Sequence, residues 1–219
     1  MRPAIRYTQL QRFSCRNLAV ACLSVLLAQP TLAAAAETGF EFHGENCIEA
    51  HDLGELEAAT VSMWLRVGTP PEEELSLLST HGWDVSALHL LLTAERRILL
   101  TVNGNQPGEI LSRGRVGKRI GDWVHVAVVL DHRKRLWRIY LDGKLDRTAR
   151  MDEVVPISLN DFRIGAWDLD PRAFVGWMDE IRIYDRALAA EEVTALKRRR
   201  GSKRGLLAWW PLGEWKWAC

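Results

Sequence analysis

The sequence predicts an all-β fold, two antiparallel sheets packed face to face, with one short helix near the C-terminus. Three observations predict it. From residue 40 onward, short apolar or alternating runs recur between clusters of turn residues. A helical period is visible at residues 188–196 and nowhere else in that region. Ten Trp and an apolar fraction of 47% are enough to fill one substantial core, so one domain is expected.

The first element is a leader. Arg2, Arg6, Arg12 and Arg16 precede any acid, and an apolar run, Leu18 to Ala28, follows. That run is too short for a hydrocarbon core that needs ~20 residues, and the small residues Ala34, Ala35 and Ala36 suit a cleavage site. Residues 1–36 therefore read as a signal peptide, with the domain at 37–219 and export as the consequence. A lipoprotein reading, from Ala19-Val20-Ala21-Cys22, is weaker because few apolar residues precede the Cys. Cleavage takes the formal charge from +1 to −3 and argues against a nucleic-acid partner. Cys47 and Cys219 remain as a disulfide candidate, with free thiols or an intermolecular bridge as alternatives. No segment after the leader is apolar enough for a membrane span.

Strands are expected at 39–43, 46–51, 60–67, 75–80, 87–93, 97–103, 109–114, 122–131, 135–142, 161–167, 174–184 and 205–211. Turns at 94–96, 103–105, 131–135 and Asp142-Gly143 make hairpins, and hence antiparallel pairing. Residues 123–130 are apolar on both parities and should form an interior strand covered on both faces. In 136–141, Arg138 opposes Trp137, Ile139 and Leu141, as in a half-solvated neighbour. Residues 70–74 read as an exposed loop and 146–158 as a long connection. Leu188, Val193 and Leu196 share one face of the short helix, which should pack on a sheet; the basic run 197–204 reads as its solvated end.

Several motifs then stand in a recognisable order: Gly121-Asp122-Trp123-Val124-His125-Val126-Ala127, Ile139-Tyr140-Leu141-Asp142-Gly143-Lys144, Phe162-Arg163-Ile164-Gly165 and the long run from Phe174 to Leu188. With Glu191 to Leu196 they resemble the laminin G-like, pentraxin-like members of the concanavalin A-like lectin/glucanase jelly rolls. Phe40 to Gly44 and Val61 to Arg66 resemble the early strands less sharply. The resemblance implies a two-sheet jelly-roll sandwich, in which Trp64 and Trp123 would fill the core. It also implies first and last strands side by side, which favours a Cys47–Cys219 bridge.

Parity along 174–184 groups Asp179 with Trp177, Ile181 and Ile183, away from Met178, Glu180, Arg182 and Tyr184. A carboxylate on an apolar face needs a cation, an Arg or backbone donors. The resemblance implies a structural Ca2+ at Asp179, and Asp168 with Asp170 offers a second oxygen set. His125, inside an apolar strand, reads as a core histidine rather than a base. No Glu-x-Asp-x-x-Glu string, nucleophile elbow, zincin motif or phosphate loop is present, so no catalytic residue is expected. Trp83 and Asp84, with Trp167, Asp168 and Asp170, are the expected ligand-binding residues, since sugars favour aromatic faces beside polar groups. The expected function is an exported, non-catalytic recognition module for glycan or a protein partner, at the cell surface or in the periplasm. A scaffold component of an envelope without a small ligand is the alternative, and a polysaccharide hydrolase comes third.

Overall fold

The computed structural model describes residues 39–80, 82–167 and 172–212. The expected leader, Asp168, Asp170 and Cys219 lie outside the described residues. In chain order the elements are β1 (Phe40–His43), β2 (Ile48–Ala50), β3 (Glu55–Leu56), β4 (Ala58–Val67), β5 (Leu75–Thr80), β6 (Leu88–Leu92), β7 (Ile98–Val102) and β8 (Glu109–Leu111). There follow β9 (Trp123–Asp131), β10 (Leu136–Leu141), β11 (Lys144–Arg150), β12 (Ile157–Ser158), β13 (Phe162–Ile164), β14 (Val175–Tyr184), α1 (Ala190–Lys197) and β15 (Leu206–Trp210). Among the described residues, one sheet runs β1-β14-β4-β9-β10-β11, with β15 also paired to β14. The other runs β2-β13-β5-β6-β7-β8, and β3 with β12 forms a small ribbon. All of these strand pairs are antiparallel. This is the jelly-roll sandwich that the alternating pattern predicts.

The core follows from parity. Val61, Met63, Leu65 and Val67 of β4 and Val124, Val126, Val128 and Leu130 of β9 face Leu88, Leu90, Leu92, Ile98 and Leu100 across the sandwich. β9 is apolar on both parities because its other side, Ala127 and Val129, is covered by Leu188, Val193 and Leu196 of the α1 region together with Tyr140 and Tyr184. Each large side chain buried in this way contributes ~1.5–3 kcal/mol. The Asp142-Gly143 turn has φ of 51° and 72°, the doubly left-handed geometry a two-residue hairpin needs.

Four expectations are corrected. Residues 146–158 are not a plain connection: β11 is an edge strand in which Lys144, Asp146, Arg147 and Arg150 outnumber the apolar Leu145 and Ala149, so no alternation reveals it, a charged composition usual for an edge. Trp64 and Trp123 are half-buried on the parity opposite the core residues of β4 and β9; among the described residues the fully buried tryptophan of the core is Trp137. The parity of β14 does not run through Asp179. A bulge between Asp179 and Arg182, with Glu180 at φ 53°, resets it, so Ile181 and Ile183 join Met178 in the core while Asp179 pairs with Trp64 on the outer side. The basic run after α1 is not wholly solvated either, because Arg199 turns inward to Asp179 at 2.7 Å.

Candidate functional site

Period-2 geometry puts His89 and Leu91 of β6, Leu99 and Thr101 of β7, and Glu109 and Leu111 of β8 on the outer face of the six-stranded sheet. They stand in two cross-strand rows, His89-Thr101-Glu109 and Leu91-Leu99-Leu111. Trp167, just after β13, packs on the apolar row with Leu91 and Leu99. The loop from β5 to β6 brings Trp83 over the end of the polar row. That loop is pinned by Ser86 N–H donating to Asn103 O at 2.8 Å, Asn103 N–H to Ala87 O at 3.0 Å and Ala87 N–H to Asp84 O at 3.1 Å.

The result is an aromatic cluster assembled from distant parts of the chain. The Trp83 and Trp167 rings lie 4.6 Å apart, His89 lies 5.1 Å from Trp83 and 4.3 Å from Trp167, and the Arg172 guanidinium sits 4.2 Å over Trp167. Trp83 is 65% exposed, whereas Trp167 is 3% exposed. Trp83 is thus the free platform and Trp167 its backing. Beside it opens a cavity of about 510 Å³ lined by Trp83, Thr101, Asn103, Gly104, Gly108 and Glu109. Thr101 Oγ1 and Asn103 Nδ2 are buried there without a hydrogen-bond partner among the described residues. Buried polar atoms are normally satisfied, so these two mark a local polar deficit behind the cavity lining. Burial first, then Arg172, holds the His89 pKa down to about 4, partly offset by the Gly82 backbone. His89 is therefore a neutral ring in this cluster at neutral pH.

The sequence-predicted residues Trp83 and Trp167 are brought together, and Asp84 is exposed in the same loop. Asp168 and Asp170 lie outside the described residues. His89, Thr101, Asn103, Glu109 and Arg172 were not foreseen. The available signal was the polar residue breaking each Leu-rich run, His89 in one strand and Thr101 in the next, on the parity that faces away from the core.

Asp179 does not fit a Ca2+ ligand. Its Oδ2 accepts Arg199 Nη1 at 2.7 Å and its Oδ1 accepts the Glu180 N–H at 2.7 Å. The arginine supplies the positive charge that a buried carboxylate requires, and a second cation would have to displace it. Glu180 is paired with Arg182 and lies 3.6 Å from Arg199, while burial pushes its pKa up. Among the described residues, no group of three His, Cys, Asp or Glu side chains could hold a metal ion. On the same face His125 Nε2 and Ser62 Oγ lie 3.0 Å apart, each 1% exposed, with the His125 pKa lowered to about 3 by burial and then by Lys197 and Arg182. A pair so enclosed holds strands together and meets no substrate. Cys47 is a half-buried thiol, and its expected partner Cys219 lies outside the described residues.

Comparison with known proteins agrees with this architecture. Residues 43–194 match the laminin G family model described as concanavalin A-like lectin/glucanases superfamily. Human neuronal pentraxin-2 is 27% identical over 155 residues, covering 64% of this chain and 34% of that protein, so the chain spans about a third of the length of the curated relatives it matches. A putative carbohydrate binding protein from Bacteroides ovatus superposes with a TM-score of 0.66 at 18% identity, covering 81% of this chain and 51% of that one. A heptameric SAP-like pentraxin from Limulus polyphemus superposes with a TM-score of 0.64 at 15% identity, covering 80% and 89%. With the family model matching well over half its length, the chain belongs to the laminin G-like branch of the concanavalin A-like lectin/glucanases superfamily.

Proposed function

We propose that this domain is an exported, non-catalytic recognition module that binds glycan on the outer face of its six-stranded sheet. One observation carries the reading: an exposed Trp83, backed by Trp167, stands beside an open groove lined by Thr101, Asn103 and Glu109. A sugar ring offers an apolar C–H face to stack on the indole and hydroxyls for the polar row, with Glu109 as a further acceptor. The named relatives include a putative carbohydrate binding protein, which supports the same class of ligand. Paired carboxylates free for acid–base work are lacking among the groove residues described, where Glu109 is the single acid lining the cavity.

Export rests on the basic N-terminus and short apolar run, and no helix among the described residues is long and apolar enough to cross a membrane. Calcium belongs to the same proposal through Asp168 and Asp170, which follow Trp167 in the chain and are the oxygen set left once Asp179 is engaged.

The test uses protein recovered after export, whose N-terminal sequence should begin at Glu37. Glycan-array screening followed by calorimetry should find a ligand whose affinity falls at least about tenfold in Trp83→Ala, the scale of losing an aromatic anchor, with Tm unchanged. Asn103→Ala should weaken the same ligand, and EDTA should do so if calcium orders the groove. Self-association without any glycan ligand would overturn the proposal in favour of a scaffold role.

A further inference from the structure

The polar row of His89, Thr101 and Glu109 does not stop at β6. Register carries it on from His89 to Ser79 of β5, from Ser79 to Arg163 of β13 and from Arg163 to Glu49 of β2. One line of polar side chains therefore crosses all six strands on the outer face of the sheet. At its centre the line is buried, with His89 packed against the rings of Trp83 and Trp167. At each end it opens into a cavity. One is the groove of Thr101 and Glu109, and the other, of about 220 Å³, is lined by Glu49, Ala50, His51, Asp161, Phe162 and Arg163.

The second cavity is open to solvent through its polar side chains. Glu49, His51 and Asp161 are exposed, and Arg163 Nη2 lies 3.6 Å from Glu49 Oε1. Carboxylate acceptors, a guanidinium donor and an imidazole ring thus meet in one small space, the mixed set that hydroxyl groups of a ligand require. Polar residues on the solvent side of a sheet need no ligand by themselves. Their alignment here is what calls for one: a single row ends in two cavities, and the exposed Trp83 stands over the stretch between them.

We propose, resting on the reading of the Trp83 groove as a glycan site, that the cavity between β2 and β13 is a second subsite of the same site. The ligand is then a linear oligosaccharide laid across the strands. The order β2-β13-β5-β6-β7-β8 puts four strand intervals between the two cavities, about 19 Å. A mono- or disaccharide does not bridge that span, whereas a tetrasaccharide or longer chain does. Glu49 and Asp161 at one end and Glu109 at the other disfavour an acidic chain, so its units are neutral. Filling both subsites with one chain makes the second contact intramolecular, and affinity climbs once the chain is long enough to reach.

The test is calorimetry of the domain with defined oligosaccharides of one to six units in the β-1,4-linked glucose, xylose, mannose and galactose series, alongside the glycan array. In a series that binds, affinity should rise at least about tenfold between the disaccharide and the hexasaccharide. His51→Ala and Asp161→Gly, singly and together, should erase that gain while Tm holds, because His51 is exposed and glycine suits the left-handed φ of 43° at Asp161. Trp83→Ala should weaken every length. Equal affinity for disaccharide and hexasaccharide, or a gain with length that survives in the double variant, would overturn the second subsite and leave the groove standing. Absence of any glycan ligand for the wild type, in these series and on the array, removes the groove reading itself and this subsite with it.

Discussion

Arg199 reaches Asp179 from the residue after the helix C-cap, where its own φ of 58° turns the chain back over Trp64. The side chain of Asp179 is 3% exposed and that of Arg199 32%, so water screens one partner and not the other. A fully buried pair broken from one side loses 3–5 kcal/mol; for this half-screened one, Asp179→Ala should cost about 2–3 kcal/mol in denaturant unfolding. A cycle with Arg199→Met should show coupling above about 1 kcal/mol, and added Ca2+ should shift wild type and Asp179→Ala alike. Independence of the two substitutions would mean that the pair is not held in solution. The buried histidines make stability depend on pH. His125 and His89 are held near 3 and 4 in the folded state against an ordinary 6.5, and burial lowers His132 too. The unfolded chain therefore binds protons first as pH falls through 6.5. Stability that is fully present above this pH should decline from pH 7 to 5.5, before most carboxylates titrate, and His125→Gln should flatten part of that slope in Tm against pH. A flat wild-type profile would contradict the burial of these rings.

At the scale of elements, α1 shows how a short helix is maintained by its contacts. Glu192 accepts the Ala189 N–H at 3.0 Å and pairs with both terminal nitrogens of Arg186, at 2.7 and 2.9 Å, which brings its pKa down to about 2. Eight residues are too few to be helical alone, so packing of Val193 and Leu196 on the β9 and β14 side decides the matter. Leu196→Ala should cost about 2–4 kcal/mol, and a loss below ~1 kcal/mol would place the helix off the sheet. This helix was legible from Leu188, Val193 and Leu196, and β9 from its double apolar parity. β11 was not, because an edge strand needs charge rather than alternation. The bulge in β14 was not either, because Glu180 is an ordinary residue in an unusual backbone conformation that no composition rule marks. Half of the groove was visible: Trp83 and Trp167 stood out as loop tryptophans, but their meeting depends on β13 lying next to β5, a long-range pairing that local pattern does not encode.

At the scale of the molecule, the groove of Trp83 lies at one end of the six-stranded sheet, where the β5–β6 loop meets the outward residues of β7 and β8. In the groove the exposed Trp83 comes from a loop, whereas Thr101 and Glu109 come from strands that the core holds in place, so Trp83→Ala should leave Tm unchanged. The pairing of β14 has a further consequence. On one side it holds β1, with Phe40 opposite Met178, and on the same side β15, with Trp210 opposite Ile181. Both run antiparallel to β14, so β15 ends where β1 begins, separated by three residues of the shared partner, about 10 Å. Together they behave as one strand with a nick. Closing that nick with a short Gly-Ser linker and opening the chain instead in the exposed stretch at Glu72-Glu73 should yield a circular permutant that folds to the same sandwich and keeps the ligand specificity of the parent, as read by circular dichroism and by calorimetry; a permutant that fails to fold while its linker is long enough would show that β1 and β15 do not lie end to end.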